Sequence, residues 1–503
     1  MQSTKLNQNK GIRETKEYSY FPLTKFVLNK DTEQAGLNML NRIKEIRSKI
    51  IVTDNRLRDY QKKDASNLVF FKRMGLFNEQ RLGKTCTVLA AINELAKKHN
   101  FTTLIIAPKS THYSWEQETK KWYTDSVIRL TTKTKRIKAY NEHYKVYIAT
   151  YETTNLDFKN LLDLVDCVII DEAHRMHNFK GIYSKNSPDF TKSIAKLCYK
   201  VEYLYLLTGT PTPNYAYQII PLLNLLYPNL FYSYWGSLEY YFKTFELTYV
   251  KNSPKKVGDF IDNIKKLELQ EFLDIHCIQR KRKDHMKWIK DSSINIIPLK
   301  MDKKEEIWYN ELDKTWECKE LNIDCPNKLV LMSKLTQITS TMHTKEQFIL
   351  DYIKDYPNEQ IIIVGTFSSY LKKLHKKIPN SKLLIGETSA LERGKLEKEF
   401  NEKKYNILIG NIYVLKEGMK LEQGQTIIVL NPSLTYSDNL QLYDRIVPTT
   451  EEVAVKKTKQ QILLLIIPDT IDEYIQNQLN CKASSTSIIN NFKTTRKERN
   501  YEQ

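Results

Sequence analysis

Long apolar runs are missing from this sequence: the longest purely apolar stretch spans only Ile462 to Ile467, far short of the roughly 20 residues that a membrane-spanning helix needs. The polar start, Met1-Gln-Ser-Thr-Lys5, lacks the apolar core of a secretion signal, so a cytoplasmic protein with no membrane partner is expected. Cysteine is sparse and scattered. The seven, at 86, 167, 198, 277, 318, 325 and 481, form no CxxC pair, which argues against a zinc site and for a reducing compartment. Acidic residues are also in deficit: 59 Asp and Glu face 78 Lys and Arg, giving a formal charge of +19. A lysine-rich coding bias explains the lysines but not the shortage of acids, so a polyanionic partner such as nucleic acid is expected.

Against those absences, 503 residues leave room for two or three domains. The informative stretch is Val168-Ile-Ile-Asp-Glu-Ala-His-Arg-Met-His-Asn178. Its β-branched run reads as a strand buried on both faces, which puts Asp171 and Glu172 at the carboxyl end, where open α/β sheets bind ligands. One carboxylate could hold Mg2+ and its neighbour could orient and deprotonate a water. An isolated Asp-Glu pair would read as an ordinary acidic strand end. What decides otherwise is Leu82-Gly83-Lys84-Thr85, between the apolar Leu68-Val-Phe-Phe71 and the helical pattern Val88 to Leu95. A Gly-Lys-Thr on a strand-to-helix turn reads as a phosphate loop: Lys84 would reach the β and γ phosphates of ATP, and the Thr85 hydroxyl would share Mg2+ with Asp171.

Other segments fall into place around these two. Gln61, in Asn55-Arg-Leu-Arg-Asp-Tyr-Gln61, could read an adenine edge or be a surface residue. Thr103 to Lys109, Lys145 to Tyr151 and Tyr203 to Pro211 read as strands with polar ends, separated by helical stretches, the pattern of a parallel, helix-covered sheet. Thr208-Gly209-Thr210 is either a plain turn or a sensor of the γ-phosphate. Residues 214–273 turn aromatic at helical spacing, which predicts a helical core. Arg280-Lys-Arg-Lys283 is either a solvated turn or a phosphate contact. Strand candidates from Gln360 to Ile467 make a second α/β region without a phosphate loop, and Cys481 to Gln503 reads as a mobile tail.

In this order the motifs resemble the helicase-like ATPases of superfamily 2, within it the Swi/Snf-type DNA translocases. Leu57-Arg-Asp-Tyr-Gln61, Ile106-Ala-Pro-Lys-Ser-Thr111 with Trp115, Ala149-Thr-Tyr-Glu152, Asp171 to Asn178, Leu207 to Asn214 and Gln441-Leu-Tyr-Asp-Arg445 carry the resemblance. It implies two RecA-like parallel-sheet lobes of α/β class with a helical insertion: an N-terminal segment 1–50, lobe 1 over 51–290 with the insertion at about 214–273, lobe 2 over 291–481, and a flexible basic tail at 482–503. It implies an ATP site of Arg58, Tyr60, Gln61, Leu82, Gly83, Lys84, Thr85 and Gln441, with Arg445 as the cation completing catalysis. His174, Thr208, Gly209 and Thr210 would couple the site to motion. Lys109, Ser110, Thr150, Tyr151 and Thr366 would lie along the nucleic-acid track.

Three departures from the family pattern stand out. Arg81 replaces the usual glycine in Asn78-Glu-Gln-Arg-Leu-Gly-Lys-Thr85, motif V shrinks to Leu415-Lys-Glu-Gly-Met-Lys420, and Pro448 replaces a second arginine. A backbone that needs φ > 0 at residue 81 would make Arg costly there, and Asp444 is expected to steady Arg445. The expected activity is an ATP-driven translocase on duplex or branched DNA, in the service of replication, recombination or repair and of phage or plasmid origin. The rivals are an ATP-binding DNA clamp with little hydrolysis and an ATPase acting on RNA or a transcription complex.

Overall fold

The computed structural model describes residues 41–98, 102–245, 256–288, 292–416, 419–448, 450–457 and 459–490. Two units divide the chain, one taking in the sequence to Thr212, Ala216–Arg280 and Ile488–Gln503, the other Pro213–Tyr215 and Lys281–Ser487. The crossover thus falls ten residues before the expected 290/291 boundary.

In the first unit, β-branched and leucine-rich runs form β1 (Arg73–Leu76), β2 (Thr103–Ile106), β3 (Val127–Arg129), β4 (Val146–Ala149), β5 (Cys167–Asp171) and β6 (Tyr203–Leu207). The 214–273 stretch is not wholly helical. Helices Ile220–Leu226, Tyr234–Tyr241 and Asn263–His276 flank an antiparallel hairpin of β7 (Phe242–Phe245) and β8 (Lys256–Phe260). Phe242 and Phe260 close it with ring centroids 4.5 Å apart. The short β9 (Cys277–Ile278) completes a parallel sheet of order β3-β4-β2-β5-β6-β1-β9. Alternate residues feed opposite cores: Leu104, Val168 and Ile170 on one face, Ile105 and Ile169 on the other. That two-sided burial is why these strands read as continuous apolar runs.

The second unit holds β10 (Ser293–Pro298), a two-stranded hairpin of β11 (Glu317–Cys318) and β12 (Ile323–Asp324), then β13 (Ile361–Gly365), β14 (Ser381–Leu384), β15 (Ile407–Asn411), β16 (Thr426–Val429) and β17 (Gln461–Ile466). Its parallel sheet runs β10-β17-β16-β13-β15-β14. Two parallel α/β lobes are therefore present, as expected. The closing helix Ile471–Asn490 runs on past the expected tail boundary at 481; residues 491–503, Glu417 and Gly418 of motif V, and residues 1–40 lie outside the described residues. All seven cysteines are free thiols.

One arginine ties the insertion to the sheet. Arg73, on β1, donates to the carbonyls of Cys198 at 2.9 Å, Val201 at 2.7 Å, Leu225 at 2.8 Å and Leu226 at 2.8 Å. Those carbonyls belong to the ends of helices Asp189–Lys200 and Ile220–Leu226, which have no intrahelical donors. The aromatics of 214–273 pack as core: Tyr227 donates to the Arg73 carbonyl at 2.9 Å and meets His276 Nδ1 at 2.7 Å. The N-terminal helix, residues 41–48, is placed similarly: Arg47 donates to Ile275 O at 3.0 Å and Cys277 O at 3.3 Å, at the end of helix Asn263–His276. Lysine at residue 73 would supply charge without a planar fork, leaving buried carbonyls unmet at about 1–3 kcal/mol each. Arg73→Lys is expected to lower unfolding free energy by about 2 kcal/mol or more in urea titrations; an unchanged midpoint would remove Arg73 from this role.

Candidate functional site

Register fixes the site. Leu76 of β1 pairs with Leu207 of β6, and Leu207 pairs with Asp171 of β5, so three adjacent strands end at one level. The loop after β1, the Thr208-Gly209-Thr210 turn after β6 and the Asp171-Glu172 pair after β5 therefore stand side by side, the outer two about 10 Å apart across two strand spacings. Gly209 is where they touch: a Cβ there would lie 3.2 Å from Gln80 Cγ and 3.4 Å from Gln80 N.

The loop curls because two of its residues take the left-handed region, Arg81 at φ 71° and Gly83 at φ 75°. The positive φ anticipated at residue 81 is present, and Arg adopts it. At Gly83 a side chain is excluded twice over, since a Cβ would fall 2.3 Å from Gln61 Nε2. Gln61 is buried; its Nε2 donates to Leu82 O at 3.1 Å and its Oε1 accepts from Arg58 N at 2.9 Å. Tyr60 donates to the same Leu82 carbonyl at 3.1 Å. Gln61 is therefore not the surface residue its alternative reading allowed: its amide braces the loop from beneath. Helix Lys84–Ala96 starts here, with Thr85 in its first turn, and Lys84 Nζ donates to Asn78 O at 2.8 Å and Glu79 O at 3.3 Å.

Asp171 is enclosed. Its carboxylate accepts from Trp115 Nε1 at 2.8 Å and from Glu172 N at 3.0 Å. Burial, then the charge of Glu172, push its pKa up to about 6, opposed by Trp115 and by the charge of Lys84. Glu172 sits at φ 51°, ψ 47°, a left-handed conformation for a residue with a side chain. Tyr151 holds that kink: its buried hydroxyl donates to Asp171 O at 2.6 Å and Glu172 O at 3.1 Å. Tyr151, expected on the nucleic-acid track, has a ring only 2% exposed, and its hydroxyl is taken up by this kink. His174 Nδ1 lies 3.1 Å from Thr208 Oγ1 and 3.2 Å from Glu172 Oε2. Thr208 Oγ1 also accepts from Thr210 N at 3.1 Å, so one chain of polar contacts joins the carboxylate pair to the β6 turn.

The remaining expected residues divide between exposed and braced. Lys109 and Ser110 are exposed. Thr150 caps helix Tyr151–Leu156 by accepting from Thr153 N. In the second unit, Thr366 is set by two asparagines: Asn431 Oδ1 accepts from its N–H at 3.2 Å, and Asn411 Nδ2 donates to its carbonyl at 2.9 Å. Gln441 is buried on helix Tyr436–Tyr443. Arg445 donates to Met419 O at 3.4 Å and to Lys416 O, anchoring the motif V segment. Asp444 pairs with Arg282 at 2.6 Å. The Arg280 to Lys283 knot is corrected as well: Arg280 engages Asp64 at 2.5 Å and Arg282 engages Asp444. Sequence reading missed Asp64, Asn411 and Asn431, for which no local pattern gives a signal.

The donor set fits a magnesium ion. Asp171 and Thr85 supply hard oxygens, the kind Mg2+ takes alongside substrate phosphates. Among the described residues no helix is long and apolar enough to cross a membrane.

Comparison with known proteins follows the same landmarks. The model of the SNF2-related domain matches residues 57–364, and that of the helicase conserved C-terminal domain matches residues 344–447. The transcription regulatory protein SNF2 of Saccharomyces cerevisiae is 25% identical over 500 residues, covering 87% of this chain and 28% of that protein. The chromodomain-helicase-DNA-binding protein 3 homolog of Caenorhabditis elegans is 30% identical over 186 residues, covering 31% of this chain and 10% of that one. The chain thus spans no more than 28% of the length of these two relatives. A solved Sulfolobus solfataricus SWI2/SNF2 ATPase core in complex with dsDNA aligns over 86% of this chain and 93% of its own, at 20% identity and a TM-score of 0.40, a likeness too slight to identify a fold. With the SNF2-related model matched across 57–364, more than half the sequence, the chain belongs to the SNF2-related family.

Proposed function

We propose that this protein is a nucleic-acid-stimulated ATPase that moves along duplex or branched DNA and remodels it during replication, recombination or repair. The observation that carries the reading is the convergence of Lys84, Asp171, Glu172 and the Thr208–Thr210 turn at one level of one sheet. A DNA track draws support from the formal charge of +19 and from relatives named as DNA-binding. In this role Mg2+, held by Asp171 and Thr85, would neutralise phosphate charge. Lys84 exchanges its carbonyl partners for phosphate oxygens, and Glu172 orients a water and takes its proton. His174 and Thr208 carry the state of Glu172 to the β6 turn.

A second reading, an ATP-binding clamp that hydrolyses little, is favoured by the left-handed Arg81 and by Pro448 in place of a second arginine. ATPase assays with duplex DNA, single-stranded DNA and RNA separate these readings. Duplex DNA is expected to stimulate most, and a flat response to all three would favour the clamp. Glu172→Gln should keep ATP affinity while turnover falls by about 10²-fold or more, the usual weight of a general base; near-normal turnover would remove Glu172 from that role. Tyr151→Phe should cost about 1 kcal/mol of stability and lower turnover with ATP affinity retained. Equal turnover in that variant would show that Glu172 keeps its kink unaided.

A further inference from the structure

Asp64 is a fully buried carboxylate that takes no part in the phosphate chemistry above. Three groups converge on it. Arg280 engages it through Nε, at 2.9 and 2.7 Å to the two oxygens, and through Nη2 at 2.5 Å, while Asn78 Nδ2 donates to it at 3.0 Å. The Arg280 carbonyl accepts from Glu79 N at 3.0 Å, and its guanidinium lies 5.6 Å from the centre of the Tyr60 ring. Asn78 and Glu79 are the two residues whose carbonyls hold the Lys84 ammonium. The phosphate loop is therefore pinned, by backbone and side chain, to Arg280.

Arg280 also ends the Ala216–Arg280 segment of the first unit, and Lys281 opens the Lys281–Ser487 segment of the second. One residue further, Arg282 pairs with Asp444, next to Arg445, at 2.6 Å. Both clamps are largely shielded, with side chains 18% and 0% exposed at the first and 19% and 18% at the second. At this crossing, one of several where the chain passes between the units, the main chain is thus gripped on either side of a single residue, Lys281.

We propose that Arg280, Lys281 and Arg282 are a coupling segment: the Asp64–Arg280 clamp transmits displacement of Asn78 and Glu79 along the main chain to the Arg282–Asp444 clamp, which sets the position of Arg445. These are positioning residues, and the inference rests on the ATPase reading above. When Lys84 leaves its two carbonyls for phosphate, Asn78 and Glu79 are the residues freed to shift. A buried ion pair leaves little slack between them and Arg280, because separating its charges is strongly unfavourable. Coupling of this kind is established by energetic non-additivity and not by adjacency.

The test uses the full chain and reads ATP-analogue affinity, basal turnover, duplex-stimulated turnover and melting temperature. Asp64→Leu with Arg280→Met replaces the first clamp by an apolar pair, a change that is often neutral for stability. Arg282→Met opens the second clamp, and Arg282→Lys retains a cation for Asp444. Basal turnover and analogue affinity are expected to stay within about 3-fold, and stimulation to fall about 10-fold in either opened form, a change of about 1.4 kcal/mol in coupling. Arg282→Lys should recover most of the stimulation. Opening both clamps should cost no more than opening one. Losses that multiply, basal and stimulated rates that fall together, or variants stimulated like the wild type would overturn the inference. A wild-type chain that DNA does not stimulate would sink the ATPase reading and this inference with it, whereas a stimulated wild type with unaffected variants would sink this inference alone.

Discussion

The candidate site depends on the hydrogen-bonded register of three strands. β6 lies between β1 and β5, and because Leu76, Leu207 and Asp171 share a level, three loops remote in sequence leave the sheet together. A slip of one residue in either pairing would invert the alternation that sends Val168 and Ile170 to one core and Ile169 to the other. The apolar faces thus enforce the alignment of the polar ends. No residue of the site has to secure that alignment itself.

Secured from below, the loops tolerate conformations that a free segment would resist. Arg81 and Glu172 both occupy the left-handed region, where a residue with a Cβ costs roughly 1–2 kcal/mol. At Glu172 the surrounding structure supplies a visible restraint, the Tyr151 hydroxyl bonded to two successive carbonyls. Asp171 presents the same balance in electrostatic form: a carboxylate kept from water, held by an indole N–H and its neighbour's amide, with its charge opposed by Glu172. Strain of this sort persists only where the frame around it is over-determined.

What the sequence disclosed was local. Gly83-Lys84-Thr85 and Asp171-Glu172 announce themselves because each chemistry needs its residues within a few positions of one another. The carboxylates were placed on the correct strand end, whereas Leu68 to Phe70, read as the strand before Gly-Lys-Thr, close helix Asp59–Phe70, and that strand is Arg73–Leu76. Contacts between distant residues left no trace: Asp64 and Arg280 stand 216 positions apart, and a lone acid inside Asp59-Tyr-Gln-Lys-Lys-Asp64 looks like solvated helix. The hairpin of Phe242–Phe245 and Lys256–Phe260 escaped because each arm is short and its partner lies beyond an intervening segment. The bracing role of Tyr151 was illegible for a related reason, since a motif locates a residue along the chain and leaves open which way its ring turns.

Arg73 also bears on how the first unit comes apart. Its four carbonyl partners lie on two helices, one of them inside the insertion, and its own carbonyl accepts the Tyr227 hydroxyl. The insertion cannot peel away without stripping the acceptors from a guanidinium seated on a strand paired on both sides, so helices Asp189–Lys200 and Ile220–Leu226 belong to the same cooperative folding unit as the sheet. Segments with this attachment exchange their amide hydrogens only when the sheet itself opens. An insertion that would otherwise be a separable decoration is in that sense part of the lobe's cooperative core.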